Sequence, residues 1–87
     1  MKNTSLIAFV KRGKNRKKVF EALDKPMMPS EVVKKIHGNS SNTHFNIVSR
    51  ALGELKEKEL VKVENPENKT GRIYTLTKKG KNIIKFL

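Results

Sequence analysis

Residues 44–58 read HFNIVSRALGELKEK, and the predicted fold is organised around this segment. Its apolar side chains recur at helical spacing, at Phe45, Val48, Leu52 and Leu55, which are positions i, i+3, i+7 and i+10. The pattern predicts a helix of about residues 44–58 with one continuous apolar stripe facing a core. The opposite side of the helix is then exposed, and its N-terminal half carries no acidic residue.

Three shorter helices are predicted before this one. The first lies in an N-terminal extension over residues 1–12, and the second starts in the basic segment 11–18 and stops before Pro26. The third begins with Ser30 as its cap and ends at Gly38. Their apolar faces are formed by Leu6, Ile7, Phe9 and Val10, by Val19, Phe20 and Leu23, and by Val32, Val33 and Ile36.

The hydrophobic period changes from about 3.6 residues to about 2 after the long helix. Residues 60–64 and 72–76 alternate as strands, and the turn-forming residues 65–71 separate them. Thr77 then caps a last helix that runs through Leu87. We therefore expect one mainly α domain with a small β-hairpin, an α+β fold in the order α-α-α-α-β-β-α.

The charge of the chain is strongly positive, with 20 Lys and Arg against 8 Asp and Glu, a net charge of +12. Residues 1–20 carry seven basic residues and no acid, residues 21–60 carry six of each, and residues 61–87 carry seven basic and two acidic. Two positive ends around a neutral middle favour a polyanionic partner. The alternatives are an anionic membrane surface, or lysines that only keep the protein soluble.

Several other classes of protein are not expected. The absence of cysteine excludes thiol catalysis, disulfides and cysteine-bound zinc, and fits a reducing cytoplasm. His37 and His44 stand seven residues apart across a glycine, so no metal site is predicted. With no acid, base or nucleophile constellation and no glycine-rich phosphate loop, we expect neither an enzyme nor a cofactor. The apolar runs are too short to cross a bilayer.

Two long motifs carry a resemblance to a known family. Residues 48–61, VSRALGELKEKELV, resemble the recognition helix and following turn of prokaryotic, especially archaeal, winged helix-turn-helix transcriptional regulators of the MarR/ArsR-like kind. Residues 71–80, GRIYTLTKKG, are similar to the second wing strand and closing helix of that family, and residues 12–16 resemble its basic lead-in. The resemblance spans residues 11–87. It implies a tri-helical core over 13–59, a wing over 60–76 and a C-terminal helix over 77–87.

The sequence departs from the family pattern just before the wing. Glu59 stands where the family usually has glycine ahead of the Leu-Val that starts the first wing strand. A left-handed backbone at this position would be strained without glycine.

The resemblance implies that the helix over 44–58 enters the major groove of DNA and that the wing over 65–72 contacts the backbone or the minor groove. Arg can bind guanine, and Asn can bind adenine, through two parallel hydrogen bonds to the base edge. The alternative for Arg50 is an ion pair with Glu54, and for the other charged candidates it is solvation. The candidate DNA-binding residues are Thr43, His44, Asn46, Ser49 and Arg50 on the helix and Lys69 and Arg72 on the wing. Lys14, Asn15 and Arg16 are further candidates, which would contact the flanking DNA backbone.

The expected function is that of a sequence-specific regulator of transcription that binds double-stranded DNA, in the cytoplasm and associated with the nucleoid. An RNA-binding ribonucleoprotein component and a winged-helix adapter for another protein are the alternatives. No small-molecule ligand is predicted. Because such domains usually bind two half-sites, we expect a homodimer. Its interface would use the apolar residues of the two ends, unless these complete the core of one chain: Leu6, Ile7, Phe9, Val10, Ile83, Ile84, Phe86 and Leu87.

Overall fold

The computed structural model describes residues 3–38 and 41–87, which form five helices and a two-stranded antiparallel sheet. The elements are α1 (Asn3–Arg12), α2 (Lys14–Ala22), α3 (Pro29–His37), α4 (Asn42–Glu57), β1 (Val61–Val63), β2 (Tyr74–Leu76) and α5 (Lys78–Ile84). The predicted α+β class and the order of the elements are confirmed. The sequence also offers the side-chain oxygens of residues 39–43 as caps for the long helix, but Asn39 and Ser40 lie outside the described residues.

The core lies where α4 packs against α2 and α3, and α1 and α5 close it. The predicted apolar faces of α2 and α3 supply Phe20, Leu23 and Val33, all at most 1% exposed. The two end segments also enter this core, because Leu6, Val10 and Ile83 are buried in the single chain. The predicted dimer interface is therefore wrong for these three side chains, whose apolar surface is used within one chain. The half-buried members of that set, Ile7, Phe9, Ile84 and Leu87, pack against the same core.

Phe45 does not belong to the buried stripe of α4, which corrects the sequence prediction. The buried residues of α4 are Val48, Ala51, Leu52 and Leu55, whereas Phe45 is 43% exposed. The physical reason is that Phe45 lies in the first turn of α4, which begins at Asn42. There its neighbours line an open groove instead of closing over the ring.

Side chains bond backbone N–H groups at the N-termini of α3, α4 and α5. Ser30 does not cap α3, contrary to the prediction, because Pro29 is already the first helical residue. Proline suits that position since it has no N–H to satisfy. The Glu31 carboxylate instead accepts from the backbone N–H of Met28 at 2.8 Å. The hydroxyl of Ser41 caps α4 by accepting from the backbone N–H of His44. The predicted Thr77 cap of α5 is confirmed, since its hydroxyl accepts from the backbone N–H of Gly80.

Glu59 ends α4 in a left-handed conformation, with φ of +62°. The N–H of Leu60 donates to the carbonyl of Leu55 at 3.0 Å, and the N–H of Glu59 donates to the carbonyl of Lys56 at 2.9 Å. These two bonds form a Schellman motif, in which glycine is the usual left-handed residue. The left-handed backbone considered for Glu59 from sequence is therefore present.

The sheet positions the loop between its strands. Val61 pairs with Leu76 and Val63 with Tyr74, so the regular strands are shorter than the predicted 60–64 and 72–76. Tyr74 also forms a bridge to Met27, with reciprocal backbone hydrogen bonds of 2.9 and 2.8 Å. This bridge attaches the sheet to the link between α2 and α3, and so places the loop over residues 64–73 beside the start of α3.

Candidate nucleic-acid interface

The exposed face of α4 is the centre of the candidate site. Thr43, Asn46 and Arg50 are exposed, and they lie on the side of the helix away from the buried Val48 and Leu52. The first acidic residue of α4 is Glu54, three turns into the helix. The positive end of the helix dipole and the absence of carboxylates make this half of α4 suitable for contact with a polyanion.

A groove with a volume of about 360 Å³ lies between the start of α2 and this face of α4; we call it the α2–α4 groove. It brings together side chains that are about thirty residues apart in the chain. Six of the ten predicted DNA-binding residues line it, together with Gly13, Ile47, Ala51 and Glu54: they are Lys14, Asn15, Arg16, Thr43, Asn46 and Arg50.

Arg16 is held by the protein itself. Its Nε and one terminal nitrogen donate to the carbonyl of Phe9, and the other terminal nitrogen lies 3.3 Å from the Glu54 carboxylate. The guanidinium carbon also lies 3.9 Å from the centre of the Phe9 ring. These contacts join α1, α2 and α4. Arg16 therefore lines the groove with its charge already engaged, and its side chain is only 16% exposed.

Gly13 makes room for that arrangement. A Cβ atom at this position would come within 2.7 Å of Arg16 Nε and 2.8 Å of its Cζ. The glycine before α2 thus allows the arginine to turn back toward α1.

Arg50 is an exposed cation on α4. The sequence alternative for it was an ion pair with Glu54, but Glu54 is paired with Arg16. Within residues 3–38 and 41–87, no carboxylate lies at ion-pair distance from Arg50. The alternative is therefore wrong, and the guanidinium of Arg50 is exposed on α4.

A second groove, with a volume of about 280 Å³, lies on the other side of α4; we call it the hairpin groove. Lys69 and Arg72, the two predicted wing residues, line it beside Phe45. Its other lining residues are Met28, Pro29, Ser30, Thr70, Gly71 and Tyr74, so no acidic side chain is among them.

The loop that carries Lys69 and Arg72 is braced by internal hydrogen bonds. The side chain of Asn65 accepts from the N–H of Ile73 at 2.7 Å and donates to the carbonyl of Gly71 at 3.1 Å. Nε of Arg72 donates to the carbonyl of Asn68 at 3.0 Å. These bonds fix the position of Arg72, and within the described ranges 3–38 and 41–87 its terminal nitrogens have no hydrogen-bond partner.

His44 and Ser49, the remaining two candidates, line neither groove. The ring of His44 stacks on that of His37, with centroids 3.9 Å apart and planes 10° apart, at the junction of α3 and α4. Burial lowers the pKa of His37 from its ordinary value of 6.5, and the charges of His44 and Lys18 lower it further. We therefore place His44 in a structural contact between helices. Ser49 is half-buried.

Sequence reasoning missed three residues that shape the site. The helical spacing places Phe45 in the core, the turn-forming pattern does not distinguish Asn65 from its neighbours, and Gly13 stands out only as part of a basic segment. Asn65 followed by Pro66 was the available signal for a braced turn, since asparagine side chains bond nearby backbone. No sequence pattern indicates that the Arg16 side chain packs against Gly13.

Comparisons with known proteins identify no relative: no family model, no curated protein and no solved structure matches this chain. Over the described ranges, 3–38 and 41–87, none of the helices combines the length and the apolar character needed to cross a membrane. In the same part of the chain, no three His, Asp or Glu side chains lie close enough together to hold a metal ion.

Proposed function

We propose that this chain is a winged-helix protein that binds double-stranded DNA through α4 and regulates transcription by occupying a promoter. The observation that carries the proposal is the exposed, acid-free N-terminal half of α4. There Asn46 and Arg50 form a ridge along the α2–α4 groove, and the hairpin groove with its cationic side chains lies on the other side of the helix. A helix with such a ridge fits the major groove, which admits one helix.

The order of the elements supports the winged-helix part of the proposal. Three helices, α2 to α4, are followed by a hairpin, and the Met27–Tyr74 bridge extends the sheet with a residue from the link between α2 and α3. In this proposal residues 60–76 form the wing, and its loop carries the contacting residues 65–72. α1 is an additional helix that packs on α2.

The exposed polar and charged side chains support separate roles in reading bases and in contacting the DNA backbone. Arg50 and Asn46 supply the two side chains best suited to base edges, guanine for the first and adenine for the second. Lys14 and Lys69 lie on opposite sides of that ridge, one in each groove. They would hold the two phosphate backbones, which positions the protein without reading sequence. Arg16 is left out of the base-reading set because each of its three guanidinium nitrogens already donates to Phe9 or Glu54.

A homodimer and a place on the nucleoid in the cytoplasm remain part of the proposal. Two copies reading two half-sites would account for specificity that a single helix cannot supply. The core uses Leu6, Val10 and Ile83, so the interface must be formed by other residues.

The test begins with a selection of bound duplexes from a random pool. Wild-type affinity for a selected duplex should fall steeply with salt, and a competing unlabelled RNA duplex of the same length should displace it poorly. Failure to select any duplex, or duplex affinity that does not fall with salt, would show that phosphate contacts do not drive binding. Stronger displacement by RNA would favour the ribonucleoprotein alternative. Either result would contradict the proposal.

Two substitutions on α4 separate base reading from general charge. Arg50→Lys keeps the charge but loses the paired donors, so it should reduce discrimination against the wrong base by about 1–3 kcal/mol. Lys56→Ala removes one charge from an exposed position in the C-terminal half of the same helix and should leave the sequence preference unchanged. An unchanged preference in Arg50→Lys would show that α4 does not read the bases as proposed.

A further inference from the structure

Phe45 is a large apolar side chain that the fold leaves 43% exposed. It lies in the first turn of α4 and lines the hairpin groove with Met28, Pro29 and Tyr74. A single exposed apolar residue is ordinary in soluble proteins, so exposure alone implies nothing. The surroundings of Phe45 are what make it informative.

Those surroundings combine an apolar floor with a cationic edge. Lys69 and Arg72 line the same groove as Phe45, and no acidic residue does. Asn46, the residue next to Phe45 in the chain, is exposed on the proposed reading face. An occupant of this groove must offer an apolar group to the ring and negative charge to the loop.

Duplex DNA offers that combination at one kind of base. In the major groove every base edge presents hydrogen-bond donors or acceptors, and thymine alone adds a methyl group. Phosphates flank that methyl on both strands and can meet Lys69 and Arg72. Cytosine and uracil have no such methyl, so a phenylalanine at this position distinguishes thymine from both.

Resting on the proposed function, we infer that Phe45 packs against the 5-methyl group of a thymine in the major groove and determines specificity at that base pair. Phe45 thus adds an apolar contact beside the hydrogen bonds of Asn46 and Arg50. The same contact favours DNA over RNA at this position.

The experiment replaces each thymine of a selected duplex, one at a time, by deoxyuridine, which removes only the methyl group. Affinities are measured by fluorescence anisotropy at one salt concentration for the wild type, Phe45→Ala and Phe86→Ala. Phe86 is the matched control, because it is also an exposed phenylalanine, 59% exposed, and lines neither groove. Thermal unfolding of each variant checks that it is folded.

At the thymine that contacts Phe45, deoxyuridine should lower the affinity of the wild type and of Phe86→Ala by about fourfold. This is the change in affinity expected for burying one methyl group. In Phe45→Ala the two duplexes should bind equally. Phe45→Leu, which keeps an apolar side chain, should recover part of the difference.

The inference is overturned if Phe45→Ala keeps the full difference between thymine and deoxyuridine, or if no thymine in the selected site shows a difference. In both cases salt-dependent duplex binding would leave the proposed function standing. If no duplex is bound with a steep dependence on salt, the proposed function fails, and the inference fails with it.

Discussion

Arg16 should stabilise the fold more than any other cation of the α2–α4 groove. Replacing it by alanine removes two hydrogen bonds to the carbonyl of Phe9, the stacking on the Phe9 ring and the ion pair with Glu54. Hydrogen bonds from a charged donor contribute about 1.5–3 kcal/mol, and a cation over a ring about 0.5–1 kcal/mol. The Glu54 side chain is 42% exposed, so screening by water leaves its ion pair little net effect.

These contributions lower the free energy of unfolding of Arg16→Ala by about 2–4 kcal/mol, since they overlap and do not add in full. For a domain of this size the melting temperature should fall by about 10–25 °C. The measurement is thermal unfolding followed by far-ultraviolet circular dichroism, with urea unfolding as a second estimate of the free energy.

Two variants separate geometry from charge in this prediction. Lys14→Ala removes a charge from an exposed residue lining the same groove, and its stability should stay within about 0.5 kcal/mol of the wild type. Arg16→Lys keeps the charge but cannot reach Phe9 and Glu54 together, so its stability should lie between those of Arg16→Ala and the wild type. A wild-type melting temperature for Arg16→Ala would refute the structural role given to Arg16.

Three further predictions concern the backbone and the pH dependence of stability. Gly80→Ala should destabilise the fold by about 1–3 kcal/mol in urea unfolding, because a Cβ there would lie 2.1 Å from the carbonyl oxygen of Leu60. An added Cβ at Gly53 has no neighbouring atom within 4 Å, so Gly53→Ala should stabilise α4 by about 0.5–1 kcal/mol. Equal effects of Gly80→Ala and Gly53→Ala would contradict the close packing of Gly80 against Leu60. Glu59→Gly should raise the free energy of unfolding by about 1 kcal/mol by relieving the left-handed strain, whereas Glu59→Ala should not. The unfolded state binds a proton at His37 more readily than the folded state, so stability should be complete above pH 6.5 and fall at lower pH. His37→Gln should flatten this dependence below about pH 6.5, and an unchanged slope would assign it to other groups.

The sequence predicts the order of the elements because each apolar period is strong and each break is marked by a turn former. It also places the end of α3 at Gly38 and the cap of α5 at Thr77, where local chemistry decides the backbone. These are properties of neighbouring residues, so no tertiary information is needed for them.

The errors arise where a distant contact decides the outcome. Helical spacing puts Phe45 in phase with Val48 and Leu52, but burial also needs a covering partner, and the hairpin groove leaves the ring partly open. Counting charges cannot distinguish Arg16 from Arg50, because one meets Phe9 and Glu54 across the fold and the other meets solvent. The apolar end segments were divided between a dimer interface and the core for the same reason.

We propose that duplex DNA binds to the exposed face of α4 and to the loop over residues 64–73. Titrating the isotope-labelled protein with a short duplex that carries the selected site, and following the backbone amide signals by NMR, tests this claim directly. The largest changes should fall at residues 43–50 and 69–72, with small changes along α5. Changes concentrated on α5 and α1, with α4 unaffected, would show that the duplex binds a different surface of the protein.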